Sequence, residues 1–128
     1  MCLISSHQES VRADRDITCY KLVYPANMDD KFRSQFQEFK YELGRTYQET
    51  YFRKVNLTRH VYEGFHSFRT IEKAVSHSCP GMVMIKCVIP KGSWYYVSDE
   101  NDQYCSDQIR IVAWKNVWRG KWQEKTEK

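Results

Sequence analysis

The sequence has no C-x-x-C pair, and its five cysteines, Cys2, Cys19, Cys79, Cys87 and Cys105, are odd in number and scattered. That pattern excludes a metal knuckle and a vicinal dithiol motif, and it reads as reduced thiols. For zinc the chain offers only His77-x-Cys79, with Cys87 and Cys105 far along the sequence, so no metal site is predicted. Cys2 lacks the nearby partners that an N-terminal thiol nucleophile requires. No run approaches the roughly 20 apolar residues of a membrane span, and Met1 to Arg15 has no apolar stretch of the secretory kind, which predicts a cytoplasmic protein with no membrane partner. A Walker loop, G-x-G-x-x-G, G-x-S-x-G and H-E-x-x-H are all missing. The motifs of phosphoryl, hydride, acyl and metallopeptidase chemistry are therefore absent, and neither a catalytic residue nor a cofactor is expected.

What is present is material for a core. The 128 residues are 41% hydrophobic and 15% aromatic, which excludes wholesale disorder and suits one domain burying roughly two-thirds of its unfolded surface. The formal net charge is +4, but it is unevenly spread. From Trp114 onward Lys115, Arg119, Lys121, Lys125 and Lys128 outnumber Glu124 and Glu127, which leaves the rest of the chain almost neutral. Nucleic-acid binding needs clustered cations along a face, so any such role rests on the tail and is the less favoured partner.

Residues 1–16 are polar, show no sustained period and read as an N-terminal arm. Residues 17–113 read as the body and 114–128 as a basic amphipathic C-terminal segment. Ile17 to Tyr24 suggests a strand with Tyr20, Leu22 and Tyr24 on one face, stopped by Pro25. Asn27 to Asp30 reads as a turn. Phe32, Phe36 and Phe39 recur at spacings of four and three, which suits a short helix or an irregular segment. Alternation over Phe39, Tyr41 and Leu43 then gives a strand, a turn at Gly44 and a second extended segment. Thr70 caps a predicted helix over Ile71 to Ser78, with Glu72 in its first turn. Met82 to Ile89, apolar except for Lys86 and closed by Pro90, predicts a central strand buried on both sides. Trp94 to Val97 and Ile109 to Ala113 complete the strands, with Ser98 to Gln103 as a polar loop. Trp114, Trp118 and Trp122, each four residues apart, predict one stripe on a helix that docks on its own sheet or forms a homo-oligomer interface. The expected class is α+β: a single compact domain with a mixed, mainly antiparallel sheet, one or two short helices and a Trp-bearing C-terminal helix.

Five segments, I-T-C-Y-K (Ile17 to Lys21), Y-E-L-G-R-T-Y (Tyr41 to Tyr47), E-G-F-H-S-F (Glu63 to Phe68), C-V-I-P-K-G-S-W-Y-Y (Cys87 to Tyr96) and Y-C-S-D-Q-I-R-I-V (Tyr104 to Val112), resemble a family of short uncharacterised proteins of bacteria and their phages. That resemblance implies an accessory role inside an infected or host bacterial cell, countering host defence. A weaker resemblance is to the ADP-ribosyltransferase fold, with Tyr20 or Lys21 on the first strand, Gly64 to Ser67 before a helix, Pro90 to Gly92 after a strand, and Gln108 in the place of the catalytic glutamate. Glutamine carries no negative charge to stabilise a cationic sugar-like transition state. The expectation is thus a non-catalytic protein sequestering a small nucleotide-like ligand, an NAD-derived or cyclic nucleotide signal, near His66. The ligand residues expected are Tyr20, Lys21, Phe65, His66, Ser67, Arg69, Tyr104, Ser106 and Gln108. The alternatives are a transferase-like enzyme using Asp107 or a carboxylate from the Asp99 to Asp102 loop, and a nucleic-acid or protein interaction module using the tail.

Overall fold

The structure, a computed structural model, describes residues 3–25, 31–34, 40–61, 63–118 and 120–124. The chain is mostly β. Its strands are β1 (Leu3–Ile4), β2 (Val11–Arg12), β3 (Ile17–Pro25), β4 (Lys31–Ser34), β5 (Lys40–Glu42), β6 (Thr46–Gln48), β7 (His60–Val61), β8 (Phe65–Phe68), β9 (Val83–Ile89), β10 (Trp94–Ser98), β11 (Gln103–Ser106) and β12 (Gln108–Asn116). The single helix among the described residues, α1 (Ile71–Ser76), follows β8 and is capped by Thr70, whose hydroxyl accepts from the Lys73 amide at 3.2 Å.

The main sheet runs β2-β10-β11-β8-β3-β9-β12-β6 with antiparallel neighbours throughout, and β4 and β5 branch from β3. Its middle is tightly registered, with β3 meeting β9 over seven positions from Ile17↔Ile89 to Val23↔Val83. The opposite edge of β3 is divided. It meets β8 at Tyr20↔Phe68 alone and β4 at Val23 to Pro25. Asp107 by itself joins β11 to β12, although β8, β3 and β9 lie between those strands in the sheet. The sheet must therefore coil back on itself. Asp107 marks the closure: its amide donates to the Trp94 carbonyl at 2.9 Å, and its carbonyl accepts from the Glu49 amide at 2.7 Å.

Coiling gives the sheet an inner and an outer face, and strand alternation sorts the residues between them. The inner core gathers Cys19, Val23, Phe32, Tyr41, Leu43, Phe65, Ile85, Cys87, Ile89, Ile109 and Ile111. On the outside, Leu22, Phe68, Met82 and Met84 pack with Ala74 of α1 and with Val117. A third cluster, Leu3, Val61, Tyr96 and Cys105, lies where the small β1-β7 ribbon covers β10 and β11. Strand β9 feeds both main clusters, which is why its sequence is apolar at almost every position.

Several expectations are corrected. The class is not α+β but mostly β, because the connections expected to be helical or loop-like add strands to the sheet. The C-terminal helix does not form. Instead β12 continues to Asn116 along β9, and the chain returns past Gly120 (φ +100°) so that Trp114 bridges Gln123. With no helix there is no tryptophan stripe: Trp114 packs on Phe32 at 5.9 Å between ring centroids, Trp122 packs on Tyr20 at 6.0 Å, and Trp118 is 78% exposed. Lys31–Ser34 is a strand rather than helix, while Phe36, Phe39 and the turn at 27–30 lie outside the described residues. Residues read as an arm carry β1 and β2, and Leu3 and Ala13 are buried. No helix among the described residues is long and apolar enough to cross a membrane.

Candidate functional site

The place where β8 parts from β3 collects polar side chains around the inner core. Strand β8 meets β3 in register at the single pair Tyr20↔Phe68, and a side chain of β3 adds a contact across the gap. Lys21 supplies that contact, its Nζ donating to the His66 carbonyl. The same ammonium lies 5.5 Å from the centroid of the Tyr41 ring, a cation–π distance. Extending the β3–β8 register by one residue puts Lys21 opposite Ser67, and Ser67 is the direct partner of Tyr104. Lys21, Ser67 and Tyr104 thus form a row on the inner face across β3, β8 and β11. Arg69, just past β8, lies 6.0 Å over the Tyr104 ring and binds Asp99 at 2.7 Å. That bond to Asp99 is the main reason the guanidinium pKa is pushed up.

Tyr104 is half-buried, and burial raises its phenol pKa against the opposing pull of Arg69, so the hydroxyl stays a neutral donor. Tyr41 behaves likewise, with burial outweighing Lys21. Ser67 is buried, while Lys21, Arg69 and Tyr104 remain partly exposed at the rim. The row and the adjoining Arg69 therefore place two cations and an aromatic hydroxyl at the rim of a closed core, with Arg69 paired to Asp99 and Lys21 to the His66 carbonyl.

Other expected ligand residues lie elsewhere. His66 and Ser67 are neighbours on a strand, so their side chains leave opposite faces; His66 turns outward, with Nε2 3.7 Å from Cys105 Sγ. Tyr20 is on the outer face against Trp122. Phe65 is core, 6.4 Å from the Tyr41 ring in a T-shaped arrangement. Ser106 is fully buried and its hydroxyl donates to the Gln108 carbonyl at 2.9 Å. Gln108 opens β12 opposite Gln48, three strands from β8. Asp107 is committed to structure: Oδ1 accepts from the Trp94 amide at 2.9 Å, and burial raises its pKa.

Gly64 explains the start of the G-F-H-S segment. Its φ is +108°, and a Cβ there would lie 2.8 Å from Cys105 Sγ and 2.9 Å from the Ser106 carbonyl oxygen. On the outer side of this corner is a pocket of about 160 Å³ lined by Arg53, Asn56, His60, Val61 and Glu63, with Arg53 and Glu63 3.7 Å apart. Small-molecule sites usually occupy at least ~300 Å³, so this pocket suits a smaller group than a nucleotide.

Sequence reasoning missed Tyr41 as the ring under Lys21 and missed the pairing of Cys19 with Cys87. Both depend on strand order, for which neither segment carries a local signal. Among the described residues no cluster of three or more His, Cys, Asp or Glu side chains is placed to hold a metal. No protein family, curated protein or solved structure matches this chain.

Proposed function

We propose that the protein is a non-catalytic binder of a small anionic, nucleotide-type ligand at the rim of the β3–β8 gap. The observation that carries this reading is the row Lys21, Ser67 and Tyr104 with Arg69 over the Tyr104 ring. Two cations next to one half-exposed ring match a phosphate attached to a planar base: the cations neutralise the anion and the ring supplies a stacking face. The segments compared with the transferase fold lie on or next to β3, β8, β9 and β12, which are neighbours in the sheet in the order β8-β3-β9-β12. Such a site would hold a nucleotide without cleaving it, since Gln108 is uncharged and Asp107 is bonded to the backbone. Sequestration of an NAD-derived or cyclic nucleotide signal by a phage-type accessory protein is the corresponding role.

Calorimetry and thermal shift against NAD, ADP-ribose and cyclic dinucleotides test it. Binding that falls at least tenfold in Lys21→Met and in Arg69→Ala, with no nicotinamide release, supports the reading. Absence of binding by every ligand in the panel overturns it.

One observation favours a second reading, a single-stranded nucleic-acid surface. Lys86 and Lys115 lie 4.6 Å and 5.2 Å from the Trp122 ring centroid, and Trp118 stands exposed in the same C-terminal segment. Exposed aromatics among lysines are the elements of a base-stacking platform. Salt-dependent quenching of tryptophan fluorescence by an oligonucleotide, lost in Trp118→Ala, would select this reading over the first.

A further inference from the structure

Cys19 on β3 and Cys87 on β9 are direct partners in the antiparallel register, so both side chains leave the same face. Both are fully buried in the inner core and both are free thiols. Directly opposed residues in an antiparallel pair have Cα atoms about 4.5 or 5.5 Å apart, depending on the type of pair, and both values lie within the disulfide range of roughly 4.4–6.8 Å. We propose that Cys19 and Cys87 are a redox modification site, two thiols positioned to close into a cross-strand disulfide that fastens β3 to β9. This goes beyond the ligand reading and does not depend on it.

The two sulfurs are unequal. Burial by itself would raise the pKa of Cys19, but its neighbours Cys87 and Ser67 and the positive charge of the Lys21 ammonium outweigh it, so the net shift is downward. Burial and the Cys19 sulfur push Cys87 the other way. Cys19 is therefore the more acidic of the two and the one assigned as the attacking group, with Cys87 the thiol that resolves. With hydrogen peroxide as oxidant, the Cys19 thiolate attacks one peroxide oxygen, the O–O bond breaks, and hydroxide leaves. The Cys87 sulfur then attacks the sulfur of the resulting sulfenic acid. The S–S bond forms as the S–O bond breaks, and the hydroxyl departs as water with the Cys87 proton. Two thiols are oxidised and one peroxide is reduced to water.

Both thiols are fully buried, so the oxidant would reach them through local opening of the side of β3 that meets β8 at one position only. The remaining described thiols serve as controls. Cys79 is exposed, while the Cys105 thiol points to the outer core and donates to the Glu63 carbonyl at 2.9 Å.

The experiment treats the full chain with hydrogen peroxide, alkylates remaining thiols under denaturing conditions, and maps the peptides by mass spectrometry. The expected result is a Cys19–Cys87 linked pair lighter by two hydrogens, with Tm raised by about 10 °C and restored by dithiothreitol. Cys87→Ser should lose both the link and the Tm rise while dimedone labels Cys19; Cys19→Ala, as a second variant, should lose the link with no dimedone label at Cys87. Recovery of Cys19 and Cys87 as separately alkylated thiols after Cys79 has been oxidised would overturn the proposal, as would linkage of either to Cys79 or Cys105.

Discussion

The two edges of strand β3 are paired very differently. Toward β9 it is zipped for seven consecutive positions, and along that seam Val23, Ile85 and Ile89 are apolar and buried, while Lys21 opposite Ile85 and Lys86 opposite Tyr20 also belong to it. Toward β8 it makes one pair, and the neighbouring positions hold Lys21, Ser67 and Arg69. A complete ladder satisfies its own backbone and leaves side chains free to be hydrophobic. Where the ladder is interrupted a polar side chain can cross the gap, as Lys21 does to the His66 carbonyl.

The sharpest way to break the comparison is at Gly64, which sets the path of β8. Gly64→Ala forces a Cβ against Cys105 and Ser106 at a backbone conformation unsuited to side chains, and should cost about 3 kcal/mol or more in urea unfolding. On the zipped edge, Ile85→Ala empties a fully buried position and should cost about 3 kcal/mol, with the effect spread over the whole sheet in hydrogen exchange. Lys21→Met should cost only about 1 kcal/mol, because it removes one hydrogen bond while its chain can still cover Tyr41. Exchange should accelerate at 65–67 and stay unchanged at 83–89; equal acceleration at both would show that the edges are not independent.

The smallest effect lies at Asp107. Burial raises its folded pKa above the ordinary 3.8, so its stabilising contribution is complete below pH 3.8 and is lost as pH rises through the folded value. Asp107→Asn keeps an acceptor for the Trp94 amide and removes the titration. Its stability at pH 7 should stay within about 0.5 kcal/mol of the parent, with a flatter pH profile between pH 3.8 and neutrality.

Legibility followed how local each signal was. Strand β9 could be read because burial on both faces leaves a run that is apolar except for Lys86, and α1 because Thr70 and Glu72 are a start signal within four residues. The tail could not. A spacing of four fits a helix nearly and a strand fully, since four is a multiple of two, and Trp114 is in fact part of a strand. The same ambiguity at Phe32 disguised β4. Strand β11 was hidden because Gln103 and Ser106 are polar yet buried, which no alternation of apolar residues announces. At the candidate site the residue types were legible but their grouping was not: the G-F-H-S segment reads as one corner, whereas the strand sends His66 outward and Ser67 inward.

By itself the amino-acid sequence determined the large aromatic core, the central strand, the cap of α1 and the lack of known catalytic motifs, because each is written in neighbouring residues. Only the tertiary structure decided that Lys21 would meet the carbonyl of His66, that Cys19 would face Cys87, and that the tryptophan segment would return along the sheet. Those contacts join residues tens of positions apart, and they follow from which strand edge is available to pair, a property of the assembled sheet and of no single segment.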